Sequence, residues 1–208
     1  MHNPGDPLVE RFVQSMRIDY EKWHDGTGYD IGAIHAATPV QRATIESILL
    51  ARGVSDWRDV EALAAIGSEP ALTRLRETLA HGDDSELATA VLRHAPQLAD
   101  SDTRTRTLVD ALERAEFYGG LSQALDEVEV FHPQAILSAL LRGALDRTGE
   151  VAVHFAAMLM YLHGKAESSF DMDQRPFFLR FNTPERAARE AVFRELCVRL
   201  GIDPAAYL

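Results

Sequence analysis

The chain has 208 residues, of which 46% are hydrophobic, so the composition excludes a disordered segment and predicts a globular protein with a sizeable core. It carries 32 acidic and 21 basic side chains, and the resulting net charge of -11 makes nucleic acid and anionic membranes unexpected partners. The single cysteine, Cys197, excludes an internal disulfide and a cysteine-based zinc cluster, and we expect a reduced, cytoplasmic setting.

Neither a secretory signal nor a membrane span is expected. The first residues, MHNPGDPLVERF, contain no apolar core and no basic leader. The longest apolar run, from Val151 to Leu162, is interrupted by His154 and is too short to cross a bilayer. The sequence therefore predicts no membrane partner.

Apolar residues recur at helical spacing along almost the whole chain, and no segment alternates as a strand would. Short breaks that contain Gly, Pro, Asp or Ser separate these segments, and such residues end one helix or cap the next. For the last helix, Thr183, Pro184 and Glu185 form a start signal and Gly201 a stop signal. The predicted helices cover residues 6–23, 39–52, 56–66, 70–81, 84–95, 103–117, 120–131, 133–147, 149–163 and 184–200.

Two segments of the chain are similar to each other. EPALTRLRETLAHGDDSELATAVL is similar to HPQAILSALLRGALDRTGEVAVHFAAML. A shift of 65 residues places Leu75 on Leu140, and a shift of 64 places Glu86 on Glu150. A looser copy, RTLVDALERAEFYGGLSQALDEV, lies between them, and one unit therefore has roughly 32 residues. A hairpin of this size has too small an apolar face to fold alone, which favours stacking of neighbours into one core.

The piece VEALAAIGSEPALTRLRETLAHGDD, residues 60 to 84, resembles the HEAT-repeat family, especially its short bacterial, lyase-like form. The resemblance implies an all-α fold, an α-solenoid of about four stacked helical hairpins with N- and C-terminal capping helices. It divides the chain into an N-terminal capping helix with a Gly-rich loop (1–38), HEAT-like repeats (39–163), and an aromatic loop with a C-terminal capping helix (164–208).

Two stretches interrupt the repeats. The Gly-rich segment 24–38 does not fit a phosphate-binding loop, because no strand precedes it and no Gly-Lys-Ser/Thr follows. The segment 164–182 is long for a helix connection, and long structured loops are often functional. Its phenylalanines either pin the loop onto the last hairpin, or Arg175, Phe178 and Arg180 form part of a binding surface, since Arg and aromatic residues anchor interfaces.

The two histidines of the last repeat do not form a metal site. His154 and His163 are nine residues apart, which on a helix is about 900°, half a turn off alignment. None of the eight histidines is followed by Glu, as HEAT-like iron hydroxylases require. We therefore expect no metal and no cofactor. The simplest interpretations are a hydrogen-bonded His154 in or near a groove and a helix-capping His163.

Other chemistry-bearing residues have ordinary interpretations. Cys197 lies in an apolar-periodic helix and is expected to be a buried, inert thiol. Tyr118 precedes Gly119 and Gly120, and this turn leaves room for an exposed aromatic anchor. The acidic residues near it are expected to lie on solvated helix faces; they are Glu113, Glu116, Asp126, Glu127 and Glu129.

A non-enzymatic protein-binding module fits these observations best. It would use the concave face of the repeat array as an adaptor, a regulator or an immunity-type protein, with a protein partner that carries positive charge. The alternative implied by the resemblance is a HEAT-like enzyme or enzyme accessory, similar to chromophore lyases, with a groove site near Glu150 and His154. The candidate binding residues are Glu86, Tyr118, Glu150, His154, Arg175, Phe178 and Arg180.

Overall fold

The computed structural model describes residues 5–81 and 84–208. Regular structure within these ranges is helical, and the only strand-like pairing found there is a set of isolated bridges from Glu116 to Gly119 and Gly120. This confirms the prediction of an all-α chain for the described residues. In the same ranges, no helix combines the length and the hydropathy needed to traverse a bilayer.

The chain divides into two compact units, residues 1–99 and 100–208. In the first unit, α5 packs against α3, α4, α6 and α7 and carries the buried residues Val60, Leu63 and Ile66. The core of this unit therefore surrounds α5. Its helices are α1 (Pro7–Ser15), α2 (Tyr20–His24), α3 (Ile31–Ala36), α4 (Pro39–Arg52), α5 (Trp57–Ile66), α6 (Glu69–His81) and α7 (Ser85–His94).

The second unit is built around α11, which packs against α9, α10, α12 and α13. Every residue of α11 from Val151 to Met160 is buried except His154. A helix that is apolar on all sides is expected to be a core helix. The helices of this unit are α8 (Ser101–Arg114), α9 (Leu121–Val130), α10 (Gln134–Asp146), α11 (Gly149–Leu162), α12 (Arg175–Phe178) and α13 (Arg186–Leu200).

Alternate helices contact each other inside each unit. In the first unit α4 packs on α6 and α5 on α7, in addition to the hairpin contacts α4 with α5 and α6 with α7. In the second unit α8 packs on α10 and α9 on α11, together with the hairpin contacts α8 with α9 and α10 with α11. Each unit thus contains two pairs of consecutive helices, and the two pairs contact each other.

Local capping explains why most predicted helix bounds agree with the structure to within a few residues. Thr38 and Gln41 form a capping box at the start of α4, where Gln41 accepts from the Thr38 backbone N–H at 2.8 Å. Asp56 accepts from the backbone N–H of Arg58 at 2.9 Å at the start of α5. At the other end of α5, Gly67 adopts φ 66°, a left-handed conformation that costs glycine little.

The prediction of one helix over residues 6–23 is wrong, because this segment forms two helices, α1 and α2. The hydroxyl of Ser15 accepts a hydrogen bond from the backbone N–H of Asp30 at 2.9 Å, and Asp30 belongs to a later turn of the chain. The last residue of α1 is thereby tied to this later turn. Asp19 then caps α2 by accepting from a backbone N–H in its first turn at 2.9 Å.

The segment 24–38 contains the short helix α3, which the sequence prediction left as a loop. Asp30 begins it by accepting from the backbone N–H of Ala33 at 2.9 Å. An aspartate directly before the apolar Ile31 is an N-cap signal that could have revealed α3. The glycines of this segment instead favoured the prediction of a loop.

The start signal predicted for the last helix is displaced. Glu185, not Thr183, is the N-cap of α13, and it makes no side-chain capping bond. The Thr183 hydroxyl instead accepts from the backbone N–H of Glu185 at 3.3 Å. The predicted stop is confirmed, because Gly201 ends α13 with φ 72°.

A buried arginine of α13 hydrogen-bonds to α10 and to the loop that precedes α13. Arg189 is 5% exposed, and its guanidinium donates to the backbone oxygens of Leu145 and Thr183, each at 2.7 Å. Leu145 lies in the last turn of α10, where carbonyl groups lack helical partners and attract a cation. Arg189 thereby ties α10, the preceding loop and α13 together. No sequence pattern distinguished it from the exposed arginines of the same helix.

Candidate functional site

Two aromatic residues occupy the tip of a tight turn between α8 and α9. The backbone N–H of Glu116 donates to the oxygen of Gly119 at 3.2 Å, and the N–H of Gly119 donates back to Glu116 at 2.9 Å. The two residues between them, Phe117 and Tyr118, form what we call the aromatic tip. Tyr118 is 97% exposed and Phe117 is 42% exposed. Their rings contact each other edge to face, with centroids 4.7 Å apart.

A row of rings leads from the aromatic tip into the core. Phe117 lies 5.8 Å from the His154 ring, which lies 4.8 Å from Phe170. Phe170 is in turn 5.7 Å from Phe178, which is fully buried. The tip therefore rests on α11 through His154, and the long loop covers the inner end of the row.

His154 is half-buried and contacts rings on both sides. Its imidazole contacts the rings of Phe117 and Phe170, and no hydrogen bond from it to another described residue is found. Burial lowers the pKa of His154 below its usual 6.5, and Glu150, one turn earlier on α11, offsets part of this shift. The imidazole is therefore neutral at pH 7.

We expect His154 to make the protein less stable in mild acid. The unfolded chain takes up a proton near pH 6.5, but the folded chain takes it up only at a lower pH, so the free energy of unfolding falls as the pH drops through this window. Urea unfolding at pH 7.5 and pH 5.5 measures the loss. His154→Gln should show a smaller loss than the wild type. An equal loss in both proteins would contradict this account.

Polar contacts hold both sides of the tip. Arg147 donates to the backbone oxygens of Glu113 and Ala115, just before the turn. On α11, Glu150 accepts from the side-chain amide of Asn182 at 3.3 Å. The turn and the end of the long loop are thus each attached to a hairpin of the second unit.

The three candidate residues of the long loop have different environments in the structure. Phe178 is 0% exposed, so it is a core residue and not an exposed anchor; its ring lies among Phe170 and Phe177. Arg180 is exposed but engaged, since it donates to Glu195 at 2.6 Å. Arg175 is exposed at the start of α12. The interpretation in which the phenylalanines pin the loop therefore fits the observed burial.

The remaining candidate, Glu86, lies in the first unit. It is in the first turn of α7, next to Asp84, which caps this helix. Burial, followed by the negative charges of Asp84 and Asp56, raises the pKa of Glu86. Of the seven candidate residues, the structure brings Tyr118, Glu150 and His154 into one part of the second unit, and it places Glu86 in the other unit.

The nearby acidic residues have different environments. Glu113 and Glu116 are exposed, as predicted. Glu127 is 8% exposed and accepts from Arg104 at 2.9 Å, so the prediction of a solvated face is wrong for this residue. Within the described ranges, no group of three or more His, Cys, Asp or Glu side chains is arranged to hold a metal ion.

Two predictions about single residues are confirmed. Cys197 is fully buried, and burial followed by the charge of Asp203 raises its pKa to about 11, which makes it a poor nucleophile. His163 ends α11, where its Nδ1 donates to the backbone oxygen of Leu159 at 2.8 Å. Both residues therefore have structural roles.

Sequence reasoning missed Phe117 and Phe170 as members of the site. Phe117 could have been found from its place in EFYGG, where two aromatic residues directly precede two glycines. Phe170 had no such signal, because a loop residue has no periodic neighbours that show which way it faces.

The first unit has its own exposed aromatic pair on α2. Tyr20 is 75% exposed and Trp23 is 64% exposed, and no residue of this five-residue helix is buried. Their ring centroids are 6.2 Å apart.

Comparison of the chain with protein-family models, with curated proteins and with solved structures gave no match.

Proposed function

We propose that this chain is a non-enzymatic protein-binding module, and that the aromatic tip is its principal contact. The observation that carries the proposal is the exposure of Tyr118, 97%, at the end of a turn closed by two backbone hydrogen bonds. Turn tips are usually occupied by Gly, Pro, Asn, Asp or Ser. Two aromatic side chains there place apolar area in water, and burial against a partner would remove it.

The site has the layout of an interface anchor. Tyr is among the residue types that contribute most at interfaces, since it buries a large area with few rotatable bonds. The ring row from Phe117 through His154 to Phe170 supports the tip from below. The row holds the Phe117 ring in place, so this ring loses little conformational freedom on binding and more of its burial is expressed as affinity.

The proposal includes a HEAT-like solenoid in a cytoplasmic bacterial protein. Support for the solenoid comes from the contacts inside each unit, where alternate helices pack as in stacked hairpins. The roughly 32-residue self-similarity of the sequence is independent support. An adaptor, a regulator or an immunity-type protein would each use such a surface.

A HEAT-like enzyme or enzyme accessory, similar to chromophore lyases, is the second candidate. The observation that favours it is the perturbed pKa of His154 beside Glu150, because perturbed groups cluster at active sites. Loss of an enzymatic activity in His154→Gln, with Tyr118→Ala still active, would favour this candidate over the first.

The binding proposal predicts that Tyr118→Ala weakens capture of the native partner by about 2 kcal/mol, because a central aromatic anchor is lost. The free energy of unfolding should change by less than about 0.5 kcal/mol, because the side chain is exposed. Affinity purification from the native host, followed by titration of the captured partner, measures the first quantity. A urea melt measures the second.

Tyr20→Ala is the matched control, since Tyr20 is also a highly exposed tyrosine and lies in the other unit. It should leave capture unchanged. If Tyr20→Ala weakens capture and Tyr118→Ala does not, the binding surface is at α2 and the proposal is wrong.

A further inference from the structure

We infer that the partner presents a positively charged segment to the aromatic tip, in which an arginine or lysine flanks an apolar residue. This inference rests on the proposed function and specifies the chemistry of the partner. It depends on three features of the second unit: carboxylates without a cationic partner, an exposed ring that can receive a cation, and an apolar hollow beside the turn.

The carboxylates lie on the turn and beneath it. Glu113 and Glu116 are exposed, and within the described part of the chain neither of them has an ion-pair partner. Glu150 bonds only to the neutral amide of Asn182 among the described residues. Two of these carboxylates lie within five residues of Tyr118 in the chain, and the third lies one helical turn from His154, which contacts Phe117. Together they attract a cation from a partner, and this attraction acts mainly on the association rate and on specificity.

The cations of the same region are three arginines, of which Arg114 is paired with Asp110 at 3.0 Å. Arg147 uses its two terminal nitrogens on the backbone oxygens of Glu113 and Ala115. Arg142 is exposed on α10. Since Arg114 and Asp110 offset each other, the two remaining positive charges do not balance Glu113, Glu116 and Glu150, and the surface around the tip keeps an excess of negative charge. This excess has the same sign as the net charge of the whole chain, -11.

The ring of Tyr118 is a second receptor for a cation. At 97% exposure its ring is accessible to a partner, beside its edge-to-face contact with Phe117. A guanidinium or ammonium group over the face of such a ring is attracted by the negative charge density of the π-system. The second unit already uses this contact internally, since Arg199 lies 3.8 Å above the Phe177 ring.

The apolar residue of the partner is inferred from a cavity of about 200 Å³ between α8 and α10, which we call the hollow. It is lined by the apolar residues Leu112, Ala139 and Gly143 and by four charged residues, Glu113, Arg142, Asp146 and Arg147. Since Arg147 also bonds to the backbone just before the tip, the hollow adjoins the turn. An aliphatic side chain next to the cation would fill it.

Selection from a random peptide display library tests the inference. Peptides are selected on immobilised wild-type protein and, in parallel, on the Tyr118→Ala variant. Peptides that are enriched on the wild type but not on the variant form what we call the tip-dependent pool. We expect this pool to be enriched in Arg or Lys next to an aliphatic residue. Individual peptides are then titrated by fluorescence anisotropy against wild type and against Glu113→Gln with Glu116→Gln, which should bind about tenfold more weakly.

The matched control removes two exposed acidic charges elsewhere in the second unit, by Glu167→Gln with Asp173→Asn. It should change the affinity less than twofold. A tip-dependent pool without Arg or Lys enrichment, or equal affinities for the two double variants, overturns the inference and leaves the proposed function standing. An empty tip-dependent pool also overturns the inference. If capture of the native partner is then unaffected by Tyr118→Ala, the proposed function fails too.

Discussion

Phe178→Ala should lower the free energy of unfolding by about 3–5 kcal/mol, because it removes a fully buried ring and leaves a cavity. The ring packs between Phe170 and Phe177, at centroid distances of 5.7 and 6.0 Å, and α12 itself packs on the central helix α11. Neighbouring rings cannot fill the space without leaving their own contacts. Urea unfolding followed by circular dichroism measures the loss.

Tyr118→Ala serves as the control for Phe178→Ala, since both changes delete an aromatic ring and they differ in burial. Phe178→Ala should destabilise the protein strongly, whereas Tyr118→Ala should weaken partner binding with little loss of stability. The opposite outcome, a normal melt for Phe178→Ala combined with weaker binding, would show that Phe178 is an exposed anchor after all.

Asp59→Ala is expected to cost about 3 kcal/mol or more of folding free energy, the second large effect. Asp59 is fully buried and accepts from the Tyr29 hydroxyl and from both the backbone N–H and the hydroxyl of Ser55, all at 3.1 Å. Alanine would leave these donors without their acceptor, and each unsatisfied buried group costs about 1–3 kcal/mol. Arg52, 4.0 Å away, would also lose its charge partner.

The measurement is a urea melt of Asp59→Ala beside Asp110→Ala. Asp110 also pairs with an arginine but is partly exposed, so its removal should cost less than about 1 kcal/mol. A double-mutant cycle with Tyr29→Phe isolates the hydroxyl–carboxylate bond. Equal losses for the two aspartates would refute the view that the buried network stabilises the first unit.

The Tyr29–Asp59 pair was beyond the reach of the sequence pattern. The two residues are 30 positions apart, and Tyr29 follows a glycine in a segment without helical period. Only the packing of α3 on α5 brings them together. In that environment burial, followed by the charge of Asp59, raises the pKa of Tyr29 to about 12.

The helices themselves were predictable because their signals are short-range. Capping residues such as Asp56 and Thr38, stop signals such as Gly67 and Gly201, and apolar spacing all act within one or two turns. These signals were sufficient for an all-α chain and for most helix bounds. They failed in residues 6–23, where α1 ends at Ser15 and a separate helix, α2, begins at Tyr20.

The direction in which loop residues face was decided only by tertiary structure. Phe178 and Tyr118 are both aromatic residues outside the long helices, and the sequence suggested both as anchors. Phe178 is fully buried and Tyr118 almost fully exposed, because one loop folds back onto α11 while a two-residue turn projects from the end of α8. Helical periodicity carries information about faces only where residues share a helix. For a loop, the face that a side chain presents depends on contacts with segments far away in the chain.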